Sequence, residues 1–255
     1  MIIQIYEIQE PLEAEMLIEA GVNHIGSVLQ AGRPLKQPLL KETIRCIRQS
    51  ASKSSLIPLF SDINSIFRAL DYYRPDIIHF CENVNMRKNS QAGLFPLIDM
   101  QAYIKDKFPE ILIIRSIPVP QSGAAGFFQS IEIAKTLAHT SDYLLTDTVI
   151  TKKCDSDSDI QPAHGFVGIT GRTCDWEIAR KLVDSVNIPV ILAGGLSPDN
   201  VFEGIKKVMP AGVDSCTQTN ACDMHGNPIK FKKDIDKVKR FIEESVRAVT
   251  HLKGD

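Results

Sequence analysis

Four features of this 255-residue chain could do chemistry. Asp147 closes an apolar run in Leu144-Leu145-Thr146-Asp147-Thr148, and Tyr6 and Glu7 close another that starts at Ile2. His79 lies inside a third apolar run, Ile77-Ile78-His79-Phe80. Gly194-Gly195 follows Ile191-Leu192-Ala193 and precedes a helical stretch expected from about Pro198. A glycine pair lets the backbone approach a ligand closely, and a helix N-terminus attracts a dianion such as phosphate. Two further clusters are weaker. Cys216, Cys222 and His225 are near one another, but no fourth ligand follows at a zinc-like spacing, so no metal site is expected. Asp155, Asp157 and Asp159 form a D-x-D-x-D run. Ile160 stands where a calcium loop needs glycine, so the run reads as a solvated acidic loop.

These residues need elements to position them, and the chain alternates regularly between two kinds. Strand-like stretches run over Ile2–Tyr6, His24–Leu29, Leu56–Phe60, Asp76–Phe80, Ile111–Val119, Asp142–Leu145, Ile188–Ala193 and Val213–Ser215. Helical spacing is expected over Pro11–Ala20, Leu39–Ser50, Asp62–Tyr73, Leu97–Phe108, Ala124–Ala138, Asp175–Val186, Pro198–Met209 and Asp234–His251. Strands alternating with helices imply parallel pairing through crossovers, and nearly all-apolar strands suit a sheet covered on both faces. Eight such units predict a single (β/α)8 barrel domain over residues 1–255. A doubly wound open sheet is the rival, but no glycine fingerprint follows the first strand. In a barrel, function gathers at the C-terminal ends of the strands, where Tyr6, Glu7, Arg33, His79, Asp147, Gly194, Gly195 and the 216–220 segment all fall. Three polar stretches on that face, 82–93, 150–165 and 216–231, read as long loops, as lids or specificity segments often do.

Composition narrows the class. Lys plus Arg is 29 against 31 Asp plus Glu, a formal charge of −2. That argues against a globally basic nucleic-acid binder. No apolar run approaches the roughly 18 residues of a membrane span. The N-terminus lacks a basic region and cleavage site, so the cytoplasm is the expected location. None of the six cysteines forms a C-x-x-C pair, and a disulfide scaffold is not expected.

Three stretches together resemble the phosphoribosylanthranilate isomerase family. They are Leu144-Leu145-Thr146-Asp147-Thr148, Gly168-Ile169-Thr170-Gly171-Arg172-Thr173-Cys174-Asp175-Trp176, and Ile191-Leu192-Ala193-Gly194-Gly195-Leu196-Ser197-Pro198-Asp199-Asn200-Val201. Their order and spacing agree with that family. Glu13-Ala14, Ala20-Gly21-Val22, Ile25-Gly26 and Arg33 fit its N-terminal half. The resemblance implies a barrel enzyme of tryptophan biosynthesis that performs an Amadori rearrangement of an aminoaldose phosphate. It implies no cofactor, a small phosphorylated substrate, and no nucleic-acid or membrane partner. Asp147 is then the general acid. Gly194, Gly195, Gly171, Thr217 and Thr219 would serve the phosphate end, while Arg33 and His79 would contact substrate.

The chain departs from the family where the base should be. The family's K-I-C-G reads Gln4-Ile5-Tyr6-Glu7 here, so tyrosine replaces the base cysteine and glutamate replaces glycine. Either Glu7 or Tyr6 is expected to act instead, Glu7 being the better base if burial raises its pKa. The family's S-S-G-V-E reads Cys216-Thr217-Gln218-Thr219-Asn220, and its V-Q-L-H-G reads Ile78-His79-Phe80-Cys81-Glu82. These changes leave two other readings open: a different sugar-phosphate isomerase or lyase, or an inactive paralogue that binds a phosphorylated ligand.

Overall fold

The computed structural model describes residues 1–84, 93–123, 129–150, 165–168 and 170–254. Its strands are β1 (Ile2–Ile5), β2 (His24–Gln30), β3 (Lys53–Leu59), β4 (Ile77–Phe80), β5 (Leu112–Pro120), β6 (Tyr143–Val149), β7 (Val190–Leu192) and β8 (Gly212–Ser215). They form a closed barrel in chain order. Closure depends on β1 pairing in parallel with β8, with Gln4 opposite Asp214 and Ile5 opposite Ser215. Gly212 is needed at this seam, because a Cβ there would lie 2.7 Å from Ile2 Cβ. The open-sheet alternative is thereby excluded.

Helices α1 (Pro11–Glu19), α2 (Pro38–Arg48), α3 (Ile63–Tyr73), α4 (Phe95–Lys107), α5 (Ser130–Leu137), α6 (Trp176–Ser185), α7 (Val201–Val208) and α8 (Ile235–Gly254) follow the strands. Local chemistry sets several of their starts. Proline opens α1 and α2, where its missing N–H costs nothing. Asp62 caps α3 by accepting from Ser65 N, and Asp175 caps α6 by accepting from Glu177 N and Ile178 N. The apolar stripes of the helices pack on the outward faces of the strands, in one cluster around Ile5, Leu144, Leu192 and Phe241 and another around Phe67, Phe80 and Phe108. No described helix is long and apolar enough to cross a membrane.

Three expectations need correction. First, α5 begins at Ser130 rather than Ala124, and residues 124–128 lie outside those described. Second, α7 begins at Val201 rather than Pro198, because Asn200 Oδ1 accepts from Ser197 N at 2.8 Å and folds 197–200 into a turn. Third, the stretch 216–231 is not merely a loop. It contains a 3₁₀ turn at Thr217–Thr219, then an antiparallel hairpin of β9 (Asn220–Cys222) and β10 (Pro228–Lys233). The hairpin turn is built by Asp223, whose Oδ1 accepts from His225 N at 2.8 Å and Asn227 N at 2.9 Å. Gly226 takes the left-handed conformation at φ 83°. Most of the other two long stretches, 85–92 and 151–164, lies outside the described residues, including the acidic D-x-D-x-D run. Their roots are stitched together: Asn83 N donates to Gly165 O and Val167 N to Cys81 O, both at 2.8 Å.

One buried ion pair fastens this corner. Arg115 on β5 is fully buried and gives its Nη1 to Glu82 Oε2 at 2.5 Å, while its Nε and Nη2 and Glu82 Oε1 have no hydrogen-bond partner among the described residues. Such a pair costs more to break than to replace. Arg115→Met should therefore lower unfolding stability by about 3–5 kcal/mol. The double variant Arg115→Met/Glu82→Leu should recover much of that in urea denaturation. Equal losses in both would contradict this reading.

Candidate active site

The C-terminal ends of the strands surround a cleft of about 700 Å³ that opens to solvent. Three carboxylates from three strand ends line it: Glu7 after β1, Asp147 on β6 and Asp214 on β8. Apolar side chains supply much of the remaining wall, including Val28, Ile57, Leu59, Leu145, Val167 and Leu196.

Asp147 keeps some surface open to the cleft, and its Oδ1 accepts from Thr148 N at 2.9 Å. Gly168 lies directly over the carboxyl, where a Cβ would come within 2.0 Å of Asp147 Oδ2. Burial, and secondly the charge of Asp214, raises the Asp147 pKa to about 7. Asp214 is raised to about 7 as well, again by burial, against the opposing effects of Gln4 and Lys233. A relay crosses the barrel interior beneath it. His24 is held neutral by burial, its pKa lowered to about 4. Its Nδ1 donates to Gln4 Oε1, and Gln4 Nε2 donates to Asp214 Oδ1, each at 3.1 Å. The apolar-run reading passed over Asp214. The signal was present, a lone carboxylate inside the strand Gly212-Val213-Asp214-Ser215.

Glu7 is buried, at φ 71°, and its Oε2 accepts from Asn220 Nδ2 at 2.8 Å and Phe231 N at 3.4 Å. Tyr6 lies deeper. Its hydroxyl is 2.5 Å from Ser55 Oγ and 2.8 Å from His79 Nδ1. Its ring packs on Gly26, where a Cβ would fall 2.1 Å from it. Burial raises the Tyr6 phenol well above its ordinary range. His79 closes this floor through Nε2, 2.8 Å from Ser116 Oγ. Burial, then Arg115, lowers its pKa to about 3, so the ring is neutral and both nitrogens are engaged within the wall.

The phosphate candidates divide. Gly194, Gly195, Gly171 and Thr217 line the cleft. Gly194 and Gly195 have φ 94° and 59°, and a Cβ on Gly195 would sit 2.5 Å from the Arg172 carbonyl carbon. Gly195 is thus demanded by the close passage of the Arg172–Thr173 backbone, and Gly194 by the Thr148 hydroxyl, 2.3 Å from where its Cβ would lie. Gln218 Nε2 adds a tie to Gly171 O at 3.0 Å. Thr219 is a correction: it is fully buried, and its hydroxyl donates to Cys216 O at 3.0 Å instead of facing the cleft. Arg33 is a second. It is exposed on the turn after β2 and is not among the residues lining the cleft. Cys216 faces the cleft whereas Cys222 is exposed on the hairpin, and no described cluster of His, Cys, Asp or Glu is arranged to hold a metal ion.

Comparison with known proteins bears on the family and the fold. Residues 100–244, more than half of the chain, match the family model described as N-(5'-phosphoribosyl)anthranilate (PRA) isomerase. The chain belongs to the PRA isomerase family. The PRA isomerase of Methanocella arvoryzae is 35% identical over 146 residues, 57% of this chain and 56% of that protein. PRA isomerase 1 of Methanosarcina mazei is 26% identical over 246 residues, covering 92% of this chain and 90% of its own. Among solved structures, the Thermotoga maritima enzyme aligns with a TM-score of 0.67 at 20% identity, over 97% of this chain and 100% of that one. A PRA isomerase bound to reduced 1-(o-carboxyphenylamino)-1-deoxyribulose 5-phosphate aligns at 0.66 and 18% identity, over 97% and 100%. At these identities the structural likeness speaks for the fold.

The raised carboxyls make stability depend on pH. A folded-state pKa above the unfolded value means the folded protein holds the extra proton. That contribution is complete below about pH 4 and is lost as pH rises through about 7. Asp147→Asn should therefore gain stability over wild type at about pH 8, by at most roughly 4 kcal/mol, and much less at about pH 4. Urea midpoints at both pH values measure the difference. A gap that is equal at both would contradict it.

Proposed function

We infer that the chain is a PRA isomerase of tryptophan biosynthesis that converts an aminoaldose phosphate into the corresponding aminoketose phosphate. The observation that carries this is Asp147: a carboxyl with a pKa of about 7, set in a largely apolar cleft and covered by Gly168. With its pKa at about 7 such a group keeps a substantial protonated fraction at neutral pH and can donate. It protonates the furanose ring oxygen, and the C1′–O bond opens to leave an iminium. A base then removes the C2′ proton, and the electron pair neutralises the nitrogen to give an enolamine. Tautomerisation yields the ketone.

Glu7 is the base in this reading. It reaches the same cleft from the end of β1, and the N–H groups of Asn220 and Phe231 both donate to its Oε2. Oε1 is clear of both. Tyr6 is set aside as base, because a phenol raised further by burial gives up its proton even less readily. It serves as floor instead, with Ser55, His79 and Ser116. The phosphate is placed at the Gly194-Gly195 backbone and the Thr217 hydroxyl. The backbone N–H groups of the turn serve it, since α7 starts only at Val201. The substrate class is that of the ligand in the PRA isomerase complex described above.

Turnover of PRA generated in situ, followed by loss of anthranilate fluorescence, tests the reading. Asp147→Asn and Glu7→Gln should each lower kcat by about 100-fold or more. Wild-type kcat/KM should fall as pH rises past about 7, where the Asp147 proton is lost. A well-folded wild type without turnover would sink the assignment.

A further inference from the structure

Two residues with left-handed backbones meet at the mouth of the cleft. Glu7 has φ 71° and Phe231 has φ 59°, and neither is glycine. Such conformations are uncommon and cost about 1–3 kcal/mol each unless the surroundings enforce them. Here they face each other: Phe231 lies where the β9–β10 register is irregular, and its N–H points at Glu7 Oε2. Beside them Asn220, 1% exposed, donates its Nδ2 to the same oxygen.

The orientation of the Asn220 amide follows from donor and acceptor inventory. Lys233 Nζ has donors only, and it contacts Asn220 Oδ1 and Cys216 O. The amide oxygen must face the ammonium, so the NH2 must face Glu7.

We propose that the β9–β10 hairpin is a positioning device for the Glu7 carboxylate, with Lys233 orienting Asn220 and Asn220 holding Glu7. The role of Glu7 as base is taken from the proposed function. Among the described residues, the other ionisable groups near this carboxylate include the adjoining Tyr6, Glu13 on α1, Cys216 after β8, Asp214 on the neighbouring strand β8, and Asp147 on β6. Lys233 also gives its backbone N–H to Glu13 Oε1 at 2.5 Å, tying the hairpin to α1. Lys233 and Asn220 touch no reacting atom in this scheme and act through Glu7.

Asn220→Asp is the discriminating variant. It is isosteric and keeps an acceptor for Lys233, but it replaces the donor facing Glu7 with a second carboxylate. Its kcat should fall roughly 10- to 100-fold at about pH 8 with KM within about twofold. Activity should recover partly near pH 6, as the carboxylate pair takes up a proton. Asn220→Ala should lose kcat without that recovery. A merely structural role would lower both variants alike and leave the pH profile in place. Wild-type kcat and pH optimum in Asn220→Asp would overturn the proposal. A readout independent of turnover separates this from the base assignment. The Asn220 side-chain amide pair in ¹⁵N–¹H spectra should move in Glu7→Gln. If wild type shows no PRA turnover, the base assignment falls, and the amide pair alone decides the clamp: an unmoved pair overturns it.

Discussion

Desolvation of carboxylates at one end of a parallel barrel is the constraint on which the rest of this structure depends. Closing β1 against β8 with Gln4 opposite Asp214 sends the ends of β1, β6 and β8 to one rim. Glu7, Asp147 and Asp214 then share a cleft whose remaining wall is largely apolar. An apolar wall disfavours the charged forms of Asp147 and Asp214, and the charge of Asp214 adds to the effect on Asp147. The outcome is chemical: Asp147 and Asp214 hold protons near neutrality that an exposed aspartate would have lost. The barrel interior underneath is organised to tolerate this. Neutral His24, Gln4 and Asp214 form one hydrogen-bonded chain, and Ser55, Tyr6, His79 and Ser116 form another. The members of these two chains tolerate burial because each finds a partner within its chain.

Backbone proximity is the second organising effect. Gly168 is excluded from bearing a side chain by the Asp147 carboxyl, and Gly195 by the Arg172–Thr173 backbone. The glycine motifs thus do two things at once. They let the Arg172–Cys174 backbone pass close against the turn after β7, where Arg172 O also accepts from Thr148 Oγ1 at 2.7 Å, and they leave room for the Asp147 carboxyl. The same loop is tied by Gln218 to the turn after β8. The surroundings of Asp147, the glycine pair and the turn after β8 are therefore tied into one unit.

The barrel was legible because parallel strands buried on both faces read as apolar runs, and the helix starts at Asp62 and Asp175 carry their own caps. Asp147 and the glycine pair were legible because they end such runs. What stayed hidden depends on contacts between residues far apart in sequence. Asn220 holding Glu7 spans 213 positions, and the Gln4–Asp214 bond spans 210. Arg33 reads as a substrate contact in sequence, yet the turn after β2 leaves it exposed. Thr219 looked like a phosphate donor until the 3₁₀ turn directed its hydroxyl to Cys216 O. The hairpin was readable in principle: Asp223-Met224-His225-Gly226-Asn227 is a turn signature, and Ile229-Lys230-Phe231-Lys232 alternates. It was obscured by the expectation that a barrel's strand-end segments are plain loops.

The central claim is that burial keeps Asp147 protonated near neutral pH and so makes it the acid. The most direct test is a ¹³C NMR titration of the aspartate side-chain carboxyls in the folded protein, with the Asp147 resonance assigned by its loss in Asp147→Asn. A midpoint near 7 is the predicted result. A midpoint near 4, the value of an exposed aspartate, would contradict the account.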